Sequence, residues 1–166
     1  SDLLFGLLDL VPTLLGLLRA PIPTRMQGRD LSPQIARGAP KPNRVLYLAD
    51  HITTDQANMQ GIRPWRGIKT ERYTYARNVE GPWLLYDDLR DPYQEENLVR
   101  EARMREVTAI LDEELRAKMA DFGDCLLDVE AALERWGIAE AYRVRTKHLY
   151  EGTNMGGAWP GRPPRR

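Results

Sequence analysis

WRGIKTERYTYARNVEGPWLLYDDLRDPYQEENL spans Trp65 to Leu98, and its rhythm passes from strand to turn to strand and on towards a charged helix. Gly67–Thr70, Tyr73–Arg77 and Trp83–Tyr86 supply aromatic and β-branched residues of strand type, and Asn78-Val-Glu-Gly81 forms a four-residue hairpin turn. Connections this short force antiparallel pairing. Upstream, Arg44–Leu48 (RVLYL) adds another β-prone run, and His51–Gly61 (HITTDQANMQG) reads as a polar loop. Downstream, Asp91-Pro92-Tyr93-Gln94 places a capping side chain, a first-turn proline and a glutamine in the order of a helix start. Met104, Val107, Leu111, Leu115, Met119 and Phe122 then recur at spacings of three and four, an apolar stripe on a long charged helix that covers the sheet. After Gly123-Asp124, Leu126, Val129, Leu133 and Trp136 outline a second, shorter amphipathic helix ended by Gly137. One more strand-like piece follows from Tyr142. The fold class is therefore α+β: a small antiparallel sheet of about four strands packed by a long amphipathic C-terminal helix.

The chain opens on its most apolar stretch, SDLLFGLLDLVPTLLGLL. This stretch lacks a basic flank, carries Asp2 and Asp9, and is broken by Pro12, so it reads as a core helix rather than a signal peptide or membrane span. Pro12 is tolerated in a first helical turn, where its missing N–H costs nothing. Leu14, Leu15, Leu17 and Leu18 make the helix apolar on most faces, and such a helix is expected to lie buried between other elements. Since chains seldom begin with their most apolar segment, Ser1 is not expected to be the biological start. Ala20–Pro42 is rich in Pro and Gly, an extended connection with one short turn of helix at Ser32–Arg37. The expected organisation is 1–43 as an apolar helix plus connection, 44–150 as the sheet-and-helix unit, and 151–166, ending GRPPRR, as a flexible basic tail.

With 166 residues, the chain can bury one modest core. Its 24 Lys and Arg balance 24 Asp and Glu, so no global charge attracts nucleic acid or an anionic membrane, and neither is expected as a partner. The single cysteine, Cys125, rules out an intrachain disulfide, reads as a small buried hydrophobe, and is compatible with a periplasmic, secreted or cytoplasmic setting. His51 and His148 lack metal-ligand partners at helical or hairpin spacing. Asp87, Asp88 and Asp91 could cluster around a hard cation, but a strand-to-helix turn with Asp91 as cap explains them structurally. Arg66 opens a strand with a planar guanidinium suited either to anion recognition or to a packing ion pair. Tyr73, Tyr75 and Trp83 fit a core or cross-strand ladder. No phosphate loop, serine elbow or nucleotide fingerprint is visible, so the chain's own chemistry reads as catalytically incomplete.

Taken in order, Asp9-Leu-Val-Pro-Thr-Leu-Leu, Pro21-Ile-Pro23, Gln27-Gly-Arg-Asp-Leu-Ser-Pro33, Arg66-Gly-Ile-Lys-Thr-Glu-Arg-Tyr-Thr-Tyr75, Leu85-Tyr-Asp-Asp-Leu-Arg-Asp-Pro92 and Glu96-Asn-Leu98 resemble the C-terminal part of the arylsulfatase-type sulfatases. The likeness runs from about Asp9 to Met119. Thr74 stands where many relatives have lysine, and Gly16-Leu-Leu-Arg19 replaces their usual Leu-Ala-Gly. The resemblance implies an alkaline-phosphatase-like α/β parent fold to which the N-terminal helix belongs. It also implies hydrolysis of sulfate esters with a formylglycine, made from Cys or Ser in C/S-x-P-S-R, and a calcium ion. Cys125 is followed by Leu-Leu-Asp, so no cofactor is expected in this chain, and calcium and formylglycine are expected in an N-terminal catalytic part that acts as its partner. The implied substrate is a sulfated small molecule or glycan, contacted from this chain by His51, Trp65 and Arg66. Phosphonate monoester or phosphodiester hydrolysis, and a non-catalytic binding or assembly role, are the alternatives.

Overall fold

A computed structural model describes residues 3–51 and 61–144. Four strands, β1 (Leu46–Asp50), β2 (Trp65–Lys69), β3 (Tyr73–Asn78) and β4 (Gly81–Asp87), form an antiparallel sheet in the order of the sequence. Short connections dictate the order of β2, β3 and β4, while β1 joins β2 across a longer one. Between β2 and β3 the Thr70 side chain accepts from Tyr73 N at 2.8 Å, while Thr70 N donates to the Tyr73 carbonyl at 2.8 Å. At the hairpin between β3 and β4, Asn78 pairs with Gly81 and its side chain accepts from Glu80 N at 2.8 Å. Gly81 sits at φ 131°, where a side chain would be strained. A register shift follows: Ala76 faces Leu84 and Arg77 faces Pro82, which leaves Trp83 as the extra residue of a bulge.

One face of the sheet carries a cross-strand line of Tyr47, Ile68, Tyr75 and Leu85. We label three of the helices α1 (Leu10–Leu17), α2 (Ser32–Arg37) and α3 (Arg105–Asp121). Leu111 and Leu115 of α3 close over that line, with Met104, Val107 and Met119 packed around them. Full burial of each such side chain contributes about 2 kcal/mol. Tyr75 can sit at the centre because its hydroxyl donates to Asp112 of α3 at 2.7 Å, which satisfies the one polar atom it buries. Burial, then the Asp112 bond and its negative charge, push that phenol well above its ordinary pKa, so it stays a donor. Phe122, at the end of the stripe, is exposed but sets its ring 5.2 Å from that of Tyr47.

Two local expectations are corrected. Asp91-Pro92 starts a turn and no helix: Gln94 N donates to the Asp91 carbonyl, Gln94 takes φ 57°, and the Asp91 carboxylate accepts from Glu96 N at 2.8 Å. The capping chemistry is present but closes the chain on itself. The long helix begins only at Arg105, after two short 3-10 turns, Leu98–Arg100 and Ala102–Met104. Asn97 ties this passage to β4, accepting from Leu85 N at 3.0 Å and donating to the Trp83 carbonyl at 3.0 Å, so the edge strand is partly covered. Beyond α4 (Val129–Arg135), capped by Asp128 and stopped at Gly137 with φ 66°, residues 139–144 are helical. Tyr142 therefore lies on a helix and not a strand. The tail at 151–166 and His148 lie outside the described residues.

At the N-terminus a 3-10 turn, Leu7–Asp9, runs into α1 with Pro12 in its first turn. Asp9, 1% exposed, binds Gly6 N at 2.8 Å, Arg29 N at 2.9 Å and Arg44 Nη1 at 2.7 Å. Thr13 accepts from Leu31 N at 3.0 Å. Gly28 lets the two segments touch, since a Cβ there would lie 1.8 Å from the Leu8 carbonyl oxygen. The buried side of α1 is thus polar and specific. Its leucines face outward: Leu7 is 86% exposed and Leu18 76%, with Leu8, Leu14 and Leu17 also exposed. Within this chain the apolar helix is not enclosed, contrary to the expectation drawn from its composition.

Candidate functional site

The register brings Asp50, Trp65, Asn78 and Gly81 to one end of the sheet, where His51 leaves β1. All three residues singled out for substrate contact, His51, Trp65 and Arg66, therefore meet at this end. Alternation along β2 then separates two of them, because Trp65 and Arg66 project to opposite faces.

Arg66 is 2% exposed, and every N–H it carries is engaged. Its Nε donates to Asp124 Oδ2 at 2.5 Å and Nη2 to Asp124 Oδ1 at 3.0 Å, a bidentate pair. Nη1 donates to the carbonyls of Asp50 at 3.0 Å and Trp65 at 3.1 Å, and Nη2 reaches the Cys125 carbonyl at 3.3 Å. No donor remains for an external anion. Of its two possible roles, this chain uses Arg66 in the internal ion pair, which locks the end of α3 to the start of β2.

Asp124 is the hub of the cluster. Tyr47 Oη donates to it, and His51 Nε2 stands 3.5 Å away, beyond good hydrogen-bonding reach. Burial alone would raise its pKa; the Arg66 and Tyr47 hydrogen bonds, then the charges of Arg66 and His51, overcome this and hold it at about 2. Tyr47 moves the other way, raised by burial and then by the bond to Asp124 and its charge. His51 itself is half-exposed, its ring 6.3 Å from that of Trp136. Trp65 is half-buried, with its ring centroid 6.3 Å from that of Trp83 at an angle of 49°.

Tyr47 and Asp124 were not among the sequence-derived candidates. A buried arginine demands a carboxylate, which is the only signal the sequence carries for Asp124. At the opposite end of the sheet the aspartates weighed in the sequence find partners that the sequence did not indicate. There Asp88 accepts from Lys69 at 2.8 Å, Thr74 at 2.7 Å and Gln94 at 2.7 Å. Asp87 pairs with Arg72 at 2.8 Å. Both aspartates are thus held by internal partners, most of them on β2, β3 and the connection between those strands, and not by a helix start. Among the described residues no three His, Cys, Asp or Glu side chains are grouped to hold a metal ion. Cys125 Sγ accepts from Arg135 Nη1 at 3.1 Å. Cys125 is followed by Leu-Leu-Asp and not by x-Pro-Ser-Arg. Among the described residues no helix is long and apolar enough to cross a membrane.

The family model for the C-terminal region of N-sulphoglucosamine sulphohydrolase matches residues 2–121. This chain belongs to that sulfatase family. The ulvan-active sulfatase of Formosa agariphila is 36% identical over 116 residues, covering 70% of this chain and 22% of that protein. The endo-4-O-sulfatase of Bacteroides thetaiotaomicron is 34% identical over 142 residues, covering 75% and 27%. A solved 2-O GAG sulfatase shares the fold at a TM-score of 0.56 and 23% identity, over 70% of this chain and 25% of that one. This chain therefore spans about a quarter of the length of the curated relatives it matches. Motifs that carry the likeness have visible structural jobs: Asp9, Thr13 and Gly28 join the N-terminal segments, while Arg66 and Asn97 fasten strands to helices.

Proposed function

We propose that this chain is the C-terminal portion of a sulfatase that hydrolyses sulfate esters of a sulfated glycan or small molecule. The observation that carries the reading is the family match over 2–121, joined by curated relatives named as sulfatases. An N-terminal catalytic part is the partner, and it covers the leucines that α1 leaves open. That part supplies the formylglycine and the calcium ion, which would generate a nucleophile and neutralise charge on the sulfuryl oxygens. Within this chain, His51 and Trp65 contact the organic portion of the substrate. Arg66 holds their platform through Asp124 and donates nothing to the substrate directly.

The test is to express the chain together with the polypeptide encoded upstream of it and measure anion release by ion chromatography. Sulfate release from a sulfated glycan, with none from a phosphate diester or phosphonate monoester, is the expected result, and the chain alone should release none. Turnover of the phosphorus esters only would overturn the reading, as would the lack of any hydrolysis.

A further inference from the structure

A groove of about 350 Å³ opens between the β3–β4 hairpin and the 3-10 turn at Leu98–Arg100, on the same end of the sheet as His51 and Trp65. Its lining includes Asn78, Glu80, Pro82, Trp83, Asn97 and Arg100. Three features set it apart from an ordinary surface crevice. Trp83 is the bulged residue of β4, and bulges re-aim side chains out of the regular ladder. The indole neighbours the Trp65 ring, with centroids 6.3 Å apart at an angle of 49°. The polar atoms then divide into those already engaged and those available. Asn97 is engaged by Leu85 N, Val99 N and the Trp83 carbonyl, and Glu80 by Arg63 at 2.9 Å. Among the described residues the Arg100 guanidinium makes no hydrogen bond or ion pair, and the Asn78 side-chain amide donates to nothing. The groove therefore offers one aromatic side chain and, among the described residues, one unpaired cation and one idle amide donor.

We propose that this groove is a subsite for a sugar residue of a sulfated glycan chain. Trp83 packs against the C–H face of the ring, while Arg100 and the Asn78 amide donate to a sulfate group on it. An indole face buries the apolar side of a pyranose, and a planar guanidinium pairs with two sulfate oxygens at once. The proposal deepens the sulfatase reading and rests on it.

The experiment uses the full parent polypeptide, titrated calorimetrically with a chondroitin sulfate tetrasaccharide and with the same tetrasaccharide after chemical desulfation. Arg100 is exposed and unpartnered, so Arg100→Ala leaves folding intact. It should weaken binding of the sulfated probe about tenfold, the low end for losing a hydrogen bond to a charged group, and leave the desulfated probe unchanged. Trp83→Phe should retain most of the binding of both probes, and Trp83→Ala should lose both. Equal affinity of wild type and Arg100→Ala for the sulfated probe overturns the subsite. A parent that binds the probe in this pattern yet releases no sulfate overturns the sulfatase reading and leaves the subsite standing.

Discussion

Ile68, Tyr75, Leu85 and Leu115 are closed off from solvent, whereas Leu7, Leu8, Leu14 and Leu18 lie open to it. Both groups sit on elements whose apolar spacing asks for burial, yet only the first finds its cover inside this chain. Polarity is inverted between the two regions as well. The sheet and α3 enclose apolar side chains and place Arg66 and Asp124 at the margin. The N-terminal segment encloses Asp9 and Thr13 and turns its leucines outward. The contrast teaches that a folded unit can be complete at one interface and unfinished at another. The unfinished side is where a partner is proposed.

The most severe way to break the comparison is Arg66→Ala, which strands Asp124 beside the core edge. It should cost about 4 kcal/mol in urea denaturation. The same pair has a pH signature. Because the Asp124 pKa is depressed to about 2, its contribution is fully present above the unfolded value near 3.8. That contribution is lost as pH falls through about 2, so stability should drop by about 2 kcal/mol across that window, and Arg66→Ala should flatten the drop. An acid limb unchanged in the variant would contradict the pair's role.

Leu115→Ala should come next, at about 3 kcal/mol, since the side chain is fully enclosed between α3 and the sheet. A cost below about 1 kcal/mol would mean that the core collapses readily around the gap, and the two regions would differ less than described. The smallest effect belongs to the other region. Replacing Leu7, Leu8 and Leu18 together by Ser should change unfolding free energy by no more than about 0.5 kcal/mol each. Light scattering should nevertheless show that the purified chain self-associates and that the triple variant does not. A monomeric parent chain at high concentration would show that these leucines need no cover.

Much of the architecture was legible in local pattern. Turn chemistry at Asn78–Gly81, strand composition from Trp65 to Tyr86, and the three-and-four spacing from Met104 to Met119 each report on neighbours a few residues away, and the sheet and helix stand where they indicate. Asp91-Pro92 misled because a cap followed by proline satisfies a tight turn as well as a helix, and the Glu96 amide took the carboxylate that a helix would have used. Arg66 was located but its partner was not: Asp124 lies 58 residues away along the chain, and no periodicity links them. The groove at Trp83 was equally hidden, since a bulge arises from a mismatch between two strands and belongs to neither alone.

By itself the sequence determined which segments become strands and helices, which residue types could recognise an anion, and the family resemblance, because these follow from short-range spacing and ordered motifs. Only the tertiary structure decided that Arg66 faces inward to Asp124, that Arg100 has no partner among the described residues, and that α1 shows its leucines to solvent. Those outcomes depend on which surfaces meet across long stretches of chain, and burial and charge pairing are properties of that meeting.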